Sequence, residues 1–325
     1  MSKRIVVRRL GGTEVLELEA YEPAAPGPGE VLLRQTAIGL NFIDTYFRTG
    51  LYPSPTGLPL TPGNEAAGVV EAVGEGVVDI GVGQRVAYAG AIGAYADRRT
   101  VPAKGLVPLP DAVSDEQAAA MMLKGMTAQY LLRQTYRVQP GDTILFHAAA
   151  GGVGLIACQW AKALGATVIG TVGSADKAEL ARAHGCDHVI LYKEEDVPAR
   201  VKAITGGKGV PVVYDGVGKA TFMASLDCLR PRGLMVSFGN ASGAVEAFNL
   251  GILSQKGSLY VTRPTLFAYT ATRDELLATA GDLFDVVGSG KVGIEIHQRF
   301  PLERAADAHR ALEGRATTGS TLLIP

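Results

Sequence analysis

One segment limits the folding options of this chain more than any other. Residues 142–154 (D-T-I-L-F-H-A-A-A-G-G-V-G) read as a buried strand over 143–147, a turn of small residues, and the start of a helix. The turn sets Ala149, Gly151 and Gly154 at the spacing of a G-x-G-x-x-G dinucleotide fingerprint, with alanine in the first place. Small residues let the main chain approach a pyrophosphate closely. The helix behind them turns unbonded N–H groups and its positive dipole end toward the same point. Downstream, Val153, Ile156, Ala157, Trp160 and Leu164 recur at helical spacing, and Gly165 supplies a stop. Strand, turn and amphipathic helix in succession predict a nucleotide site; an ordinary tight strand–helix connection is the competing explanation.

The rhythm that follows supports the first reading. Strands are expected over 143–147, 166–172, 188–191, 212–215, 234–238 and 258–261, with helices over 174–183, 197–205 and 220–229 between them. Parallel strands need crossover connections, so this alternation predicts a doubly wound α/β sheet. The first hundred residues read differently. Short strands at 5–9, 15–20, 30–38, 66–73, 84–89 and 94–101, broken by Gly/Pro turns, predict a partly open β-barrel. Within that region Asn41 can cap a short helix whose first turn holds Asp44. Ser114 and Gln117 form a capping box that opens an alanine-rich helix ending at 123. A second helix is expected over 126–135, with Gly125 as a hinge between the two. After Pro264 come a helix over 274–287, a strand over 293–300, a helix from 305 and a closing strand that returns to the N-terminal domain. The expected domains are 1–123 with 265–325, and 124–264.

Composition removes several function classes. With 31 basic and 32 acidic residues the net charge is −1, and no basic stripe is present for nucleic acid. The N-terminal residues lack the apolar region of a signal peptide, and no stretch is apolar for long enough to span a bilayer. Cys158, Cys186 and Cys228 are widely spaced, which fits reduced thiols in a cytoplasmic protein and small core hydrophobes in a fold. The five histidines, His147, His184, His188, His297 and His309, are scattered, and no Cys/His spacing suits a tetrahedral metal site. No Ser/His/Asp or paired-carboxylate arrangement calls for a nucleophile or a general acid.

The residues after the second predicted strand indicate which dinucleotide is bound. A site for unphosphorylated NAD usually places an acid there, on the ribose 2′-hydroxyl. Here Gly173 and Ser174 follow the strand, and Lys177 comes one turn later. Ser174 can donate a hydrogen bond to a 2′-phosphate and Lys177 can supply charge, so NADPH is expected. Asp176 is an unfavourable neighbour that a helix start can point away. The alternative makes Ser174 a helix N-cap and Lys177 a solvated side chain.

Several motifs together resemble one family. They are I-G-L-N-F-I-D-T-Y at 38–46, G-L-Y-P at 50–53, P-G-N-E-A-A-G at 62–68 and H-A-A-A-G-G-V-G at 147–154. To these are added V-S-F-G-N at 236–240, Y-V-T-R-P at 260–264 and R-A-T-T-G-S at 315–320. Over essentially its whole length the chain is similar to the zinc-free, zeta-crystallin-like NADPH:quinone oxidoreductases of the medium-chain dehydrogenase/reductase superfamily. The resemblance implies a GroES-like barrel beside a Rossmann domain, with the nicotinamide in the cleft between them. It also implies a homodimer joined through the edge strand at 258–261. Zinc-dependent members hold their catalytic metal with a cysteine and a histidine where this sequence has Asn41 and Asn64. No zinc is therefore expected. Without a Lewis acid the acceptor must be easy to reduce, and a quinone, which gains aromaticity on reduction, is the easiest. A conjugated enone or alkenal is the next. A third possibility is a weakly catalytic NADPH-binding protein with a structural or RNA-binding role.

The family pattern also assigns residues. It implies that Asn41 and Tyr46 contact the nicotinamide end, together with Phe42 and Asp44; capping the helix is the other reading of Asn41. Tyr46 and Tyr52 either line the acceptor pocket or serve as packing. Tyr130 resembles a cofactor contact, though a core tyrosine is the ordinary case. The pyrophosphate is expected over Gly151, Gly152 and Val153, and the adenosine end by Gly173, Ser174, Lys177 and Tyr192. Val217, Phe238, Gly239 and Asn240 lie where ligands collect at strand carboxyl ends. Pro264, Phe267 and Arg315 are expected to reach the nicotinamide side.

Overall fold

Apolar strands that alternate with helices after residue 142 can be covered on both faces only in a parallel sheet. The computed structural model, which describes residues 1–90 and 92–325, contains such a sheet. Strands His188–Leu191, Thr167–Val172, Thr143–Phe146, Val210–Asp215, Leu229–Ser237 and Tyr260–Thr262 lie side by side in that order, all parallel. Counted along the chain, the order reverses between Thr143–Phe146 and Val210–Asp215. That reversal is where open α/β sheets hold ligands. Helices Gly152–Ala163, Ala175–Ala183, Val197–Ile204 and Phe222–Cys228 form connections in this βα series. Every residue of the central strand Val210–Asp215 is buried. Leu145, Ile169, Ile190, Val213 and Met235 from five strands pack with Phe222 and Leu226 into one core.

The other unit is built around a single long strand. Glu30–Leu40 pairs antiparallel with Glu65–Val73, with Arg98–Pro102 and with the closing strand Ser320–Ile324. Its register against Glu65–Val73 shifts twice, at Leu32/Leu33 and at Gln35/Ala37. Bulges of this kind bend a strand and raise its twist. The sheet continues to Arg85–Ala89 and Val107–Pro108 on one side and to Ile296–Pro301 on the other, and it stays open. Ser2–Val6 and Glu17–Tyr21 make a separate two-stranded sheet. The closing strand joins the N-terminal sheet as its position in the sequence suggested.

Contacts divide the chain into Met1–Met126 with Thr270–Gly288 and Ile294–Pro325, and Thr127–Tyr269 with Ser289–Gly293. Two local expectations fail. The two helices expected around Gly125 are one helix, Asp115–Tyr130, followed by a π-helical turn over Leu131–Thr135. Gly125 is no break, because its missing Cβ makes room for Leu283: a Cβ there would stand 2.5 Å from Leu283 Cδ1. The strand expected over 94–101 is confined to Arg98–Pro102. The preceding residues leave the sheet, with Tyr95 N bonded to Pro62 O and the Ala94 carbonyl taken by Gln35 Nε2. The capping box is present, with Gln117 N donating to Ser114 Oγ (3.2 Å) and Ser114 N to Gln117 Oε1 (3.1 Å).

Candidate active site

In the parallel-sheet unit, the fingerprint turn is compact and cross-braced. Gly151 caps helix Gly152–Ala163 and makes no side-chain cap, so the first N–H groups keep their outward direction. A Cβ on Gly154 would stand 2.4 Å from Ala148 O and 2.7 Å from Ala149 O, so that position must be glycine. A Cβ on Gly151 would meet only Ala148 O, at 3.2 Å. The unusual alanine of the fingerprint has a structural counterpart. A Cβ on Gly170, in the neighbouring strand, would lie 2.7 Å from Ala149 Cβ, so that glycine makes space for the extra methyl.

At the end of strand Thr167–Val172 the residues singled out for the adenosine end come together. Ser174 is the N-cap of helix Ala175–Ala183 by position, but its side chain makes no capping bond and is exposed. The capping alternative for its hydroxyl is therefore not the arrangement found. Lys177 lies in the first turn of that helix, as does Asp176, which is exposed. Tyr192 N bonds Val172 O (3.2 Å), and its hydroxyl lies over Gly173, where a Cβ would come within 2.7 Å of it.

Val217 and residues 238–240 form a second braced group. Asp215 Oδ1 accepts Val217 N (2.8 Å) and Gly218 N (3.0 Å), curling the loop over the strand end. A Cβ on Gly239 would stand 2.4 Å from Gly216 O, and the Phe238 ring packs on Phe146 with centroids 5.7 Å apart. Asn240 is buried at the edge of this group. Pro264 follows the last strand, and Phe267 is exposed on the short helix Leu266–Tyr269. Tyr130 is buried and stacks on Tyr269 at 4.6 Å and 12°, and burial pushes its hydroxyl pKa up. Tyr269 was not singled out from the sequence.

His147 also has more to do than end a strand. Ser225 Oγ gives its only proton to Asp215 Oδ2 (2.9 Å), so His147 Nε2, 3.0 Å from Ser225 Oγ, is the donor to that oxygen. Nδ1 then accepts from Thr171 Oγ1 at 2.9 Å. Burial lowers the His147 pKa, consistent with a neutral ring. Ser, His and Asp are in contact here, but the serine proton points at the carboxylate instead of at the imidazole, so no nucleophile is activated. The cluster holds the strand ends that carry the loops.

In the antiparallel unit, helix Phe42–Thr49 carries the remaining candidates. Asn41 is its N-cap and closes a capping box with Asp44, whose Oδ2 accepts Asn41 N at 2.9 Å. Asn41 thus occupies the capping position, with its main-chain N–H held by Asp44. The Asn41 amide donates to Glu65 Oε1 (2.8 Å), and the Asn64 amide donates to Asp44 Oδ1 (2.6 Å). Glu65 is fully buried; its Oε1 also takes Lys124 Nζ at 2.5 Å and its Oε2 takes Leu123 N at 2.6 Å. Gly39 admits this carboxylate, since a Cβ there would stand 2.3 Å from Glu65 Oε1. Asp44 is wholly buried and accepts three donors, the third being Tyr95 Oη (3.1 Å). Its carboxyl is pushed up to about 6, by burial first, against the pull of those hydrogen bonds. Glu65, Lys124 and Tyr95 carried no sequence signal for this role.

Tyr46 and Tyr52 meet edge to face with centroids 5.1 Å apart, and Phe42 (6.4 Å from Tyr46) and Phe47 (6.1 Å from Tyr52) complete an aromatic group. Tyr52 N bonds Tyr46 O at 3.1 Å, which holds the proline-rich loop against the helix. Arg315 stands on the turn after helix Ala305–Glu313, exposed and in a left-handed backbone conformation, φ 57°.

Among the described residues no group of three or more His, Cys, Asp or Glu side chains could hold a metal ion. The polar groups around Asn41 and Asn64 do not suit a divalent cation. Both amides turn N–H toward carboxylates, and the Lys124 ammonium already neutralises Glu65.

Comparison with known proteins agrees with this architecture. The family described as "Alcohol dehydrogenase GroES-like domain" matches residues 27–111, and "Zinc-binding dehydrogenase" matches residues 152–280. The chain is 61% identical to a quinone oxidoreductase of Pseudomonas aeruginosa, with 100% of both chains covered. It is 48% identical to a 2-haloacrylate reductase of a Burkholderia species, with 98% of each covered. The solved structure of the Escherichia coli quinone oxidoreductase complexed with NADPH superposes with a TM-score of 0.98 at 56% identity, covering 99% of this chain and 100% of that one. With a GroES-like antiparallel unit, a Rossmann sheet and full-length likeness of this degree, the chain belongs to the quinone oxidoreductases of the medium-chain dehydrogenase/reductase superfamily.

Proposed function

We propose that the protein reduces quinones with NADPH, by electron or hydride transfer from the nicotinamide. One observation carries this reading: the 56% full-length likeness to a quinone oxidoreductase solved with NADPH, in a chain whose own second strand ends at Gly173–Ser174 with a hydroxyl instead of an acid, Lys177 and Asp176 following in the first helical turn. Bound NADPH supplies the reducing electrons. The chain's part is binding and orientation. The turn at 149–154 and the N-terminus of helix Gly152–Ala163 receive the pyrophosphate; Gly151, Gly152 and Val153 are its nearest main chain. Ser174, Lys177 and Tyr192 receive the 2′-phosphate. The loops at Val217 and 238–240, with Tyr130, Pro264 and Phe267, form the nicotinamide side of the parallel-sheet unit. In the antiparallel unit, Asn41, Phe42 and Tyr46, with Arg315, serve the nicotinamide end, and Tyr46 and Tyr52 offer aromatic faces to a flat acceptor. Asp44 acts through Asn41 and Asn64, which it holds.

Reduction proceeds without zinc in this reading, because the amide and ammonium chemistry around Asn41 and Asn64 does not suit a metal. A quinone needs little electrophilic help, so positioning suffices. A second reading, reduction of a conjugated enone or haloacrylate, is favoured by the 48% likeness to a 2-haloacrylate reductase. The three buried free cysteines are compatible with a reducing compartment, the cytoplasm. Two copies would join through strand Tyr260–Thr262, which lies at the edge of the parallel sheet. Nucleic acid is not a partner on this reading.

The test is NADPH oxidation against 1,4-benzoquinone, 1,2-naphthoquinone and a small enone, with NADH as control and metal analysis of the same sample. Faster turnover of the quinones with NADPH supports the proposal. Preference for the enone moves the protein to the second reading, and activity that depends on added zinc overturns the metal-free account.

A further inference from the structure

A line of hydrogen bonds runs from the guanidinium of Arg48 to the carboxylate of Asp44, and its direction is determined. Arg48 is buried, with Nη1 2.9 Å from His309 Nδ1, while Nη1 and Nη2 also bond Glu313 at 3.1 and 2.6 Å. A guanidinium only donates, so His309 Nδ1 is bare and the neutral ring carries its proton on Nε2. That proton points to Tyr95 Oη, 2.9 Å away, and leaves the Tyr95 hydroxyl proton for Asp44 Oδ2 at 3.1 Å. The other donors to Asp44, Asn41 N and the Asn64 amide, cannot turn into acceptors without losing these bonds. A proton on Asp44 Oδ2 could be accommodated only by reversing Tyr95 and then His309, and Arg48 prevents that reversal; a proton on Oδ1 would require the Asn64 amide to turn over and give up its 2.6 Å donation.

We propose that Tyr95 and His309 are positioning residues for the reduction. The one-way chain Arg48, His309, Tyr95 keeps Asp44 ionised at neutral pH, and the ionised carboxylate holds Asn41, Asn64 and the start of helix Phe42–Thr49 in their working arrangement. The inference rests on the proposed function, because that helix carries Asn41 and Tyr46. Two opposed influences make the device sensitive to pH. Burial and the nearby Glu65 push the Asp44 carboxyl up, to about 6, whereas the three donors pull it down. Glu65 faces Asp44 from strand Glu65–Val73, with its charge balanced by Lys124 on helix Asp115–Tyr130. Tyr95 approaches from the segment before strand Arg98–Pro102, and its hydroxyl pKa is raised well above the ordinary value, so it stays a donor. His309 and Glu313 approach from helix Ala305–Glu313 and meet Arg48.

The test is the pH profile of kcat/KM for NADPH-dependent quinone reduction in the native protein, Tyr95→Phe, His309→Leu and His309→Gln. Loss of one hydrogen bond to a charged group is worth about one pH unit in the carboxyl's titration. The acid limb should therefore move up by about one unit in Tyr95→Phe, which removes that bond, and by less in His309→Leu, which frees Tyr95 to reverse and accept the Asp44 proton, with the rate recovering at high pH in both. Glutamine can accept from Arg48 and donate to Tyr95, so His309→Gln should return the limb toward the native position. A uniform loss of rate at every pH, with the limb unmoved, overturns the proposal. The protonated-carboxyl infrared band, followed against pH, gives the same information without turnover. It should titrate at higher pH in Tyr95→Phe, and an unchanged titration also overturns the proposal. Failure of the native protein to reduce quinones with a shifted infrared titration would reject the proposed activity and leave the chain of donors standing.

Discussion

Lys124 Nζ lies 2.5 Å from Glu65 Oε1, and both side chains are almost wholly withdrawn from water. Isolated, either charge would be very costly at this depth; paired, the two can be accommodated. Glu65 also collects Asn41 Nδ2 and Leu123 N, so one carboxylate ties together strand Glu65–Val73, the start of helix Phe42–Thr49 and helix Asp115–Tyr130. Replacing Lys124 by methionine should leave that carboxylate unbalanced and destabilise the fold by about 3–5 kcal/mol, measured by urea unfolding. The double variant Lys124→Met, Glu65→Gln should lose less than the single one. A single variant within ~0.5 kcal/mol of native would mean that the pair has little energetic weight.

Two glycines of the fingerprint turn should respond differently to alanine. At Gly154 a methyl would collide with the carbonyls of Ala148 and Ala149, which are main-chain atoms and cannot rotate away. Gly154→Ala should therefore lower the melting temperature markedly. At Gly151 the methyl meets only Ala148 O, at 3.2 Å, a contact that a small shift relieves. Gly151→Ala should fold nearly as well as the native chain but bind NADPH at least about tenfold more weakly, because the methyl occupies space a pyrophosphate needs. Calorimetry with and without NADPH separates the two effects.

Lys177 and the uncapped hydroxyl of Ser174 bear on cofactor choice. A charge-assisted hydrogen bond to phosphate is worth about 1.5–3 kcal/mol. Lys177→Ala should thus reduce kcat/KM for NADPH by roughly 10–100-fold while changing that for NADH little. Equal loss with both cofactors would assign the lysine a structural role.

His309 should make the protein acid-sensitive. Burial first, then the charge of Arg48, depress its pKa from 6.5 to about 3. A depressed imidazole contributes stability that is complete above pH 6.5 and is lost as pH falls from there toward 3, because the unfolded chain binds the proton first. Asp44, whose carboxyl is raised, works in the opposite direction below about pH 6, and so partly masks the effect. The comparison with His309→Gln isolates it. Between pH 7 and pH 5 the native protein should lose roughly 2 kcal/mol more stability than the variant, read from urea midpoints at the two pH values. Parallel losses in the two proteins would show that His309 is not the group responsible.

Tyr260 is 61% exposed on the edge strand of the parallel sheet. A lysine there would place charge on the strand through which two copies are proposed to join. Tyr260→Lys should shift the mass seen by light scattering from dimer toward monomer at micromolar concentration. A native protein that is monomeric under those conditions removes the proposed interface.

What could be read from the sequence was what neighbouring residues determine. The spacing of Ala149, Gly151 and Gly154, the Ser114/Gln117 capping box and the βα alternation all express interactions within a few residues. From these the doubly wound parallel sheet and the turn expected to receive a dinucleotide could be anticipated, but not the order of the strands. Gly125 marks the limit of such reasoning. Read locally it is a helix breaker, whereas in the fold it is the space into which Leu283 packs.

Contacts between residues distant in sequence belonged to the tertiary structure alone. Asp44 and Tyr95 are separated by 51 residues, and Tyr95 and His309 by 214, yet together they settle which atom of His309 carries the proton and which acid stays charged. Gly170 opposite Ala149, and Lys124 against Glu65, are matches of the same kind. The physical reason is that periodicity and capping depend on local geometry, while the cost of a buried charge depends on every group that surrounds it. Those groups become neighbours only when the chain has folded.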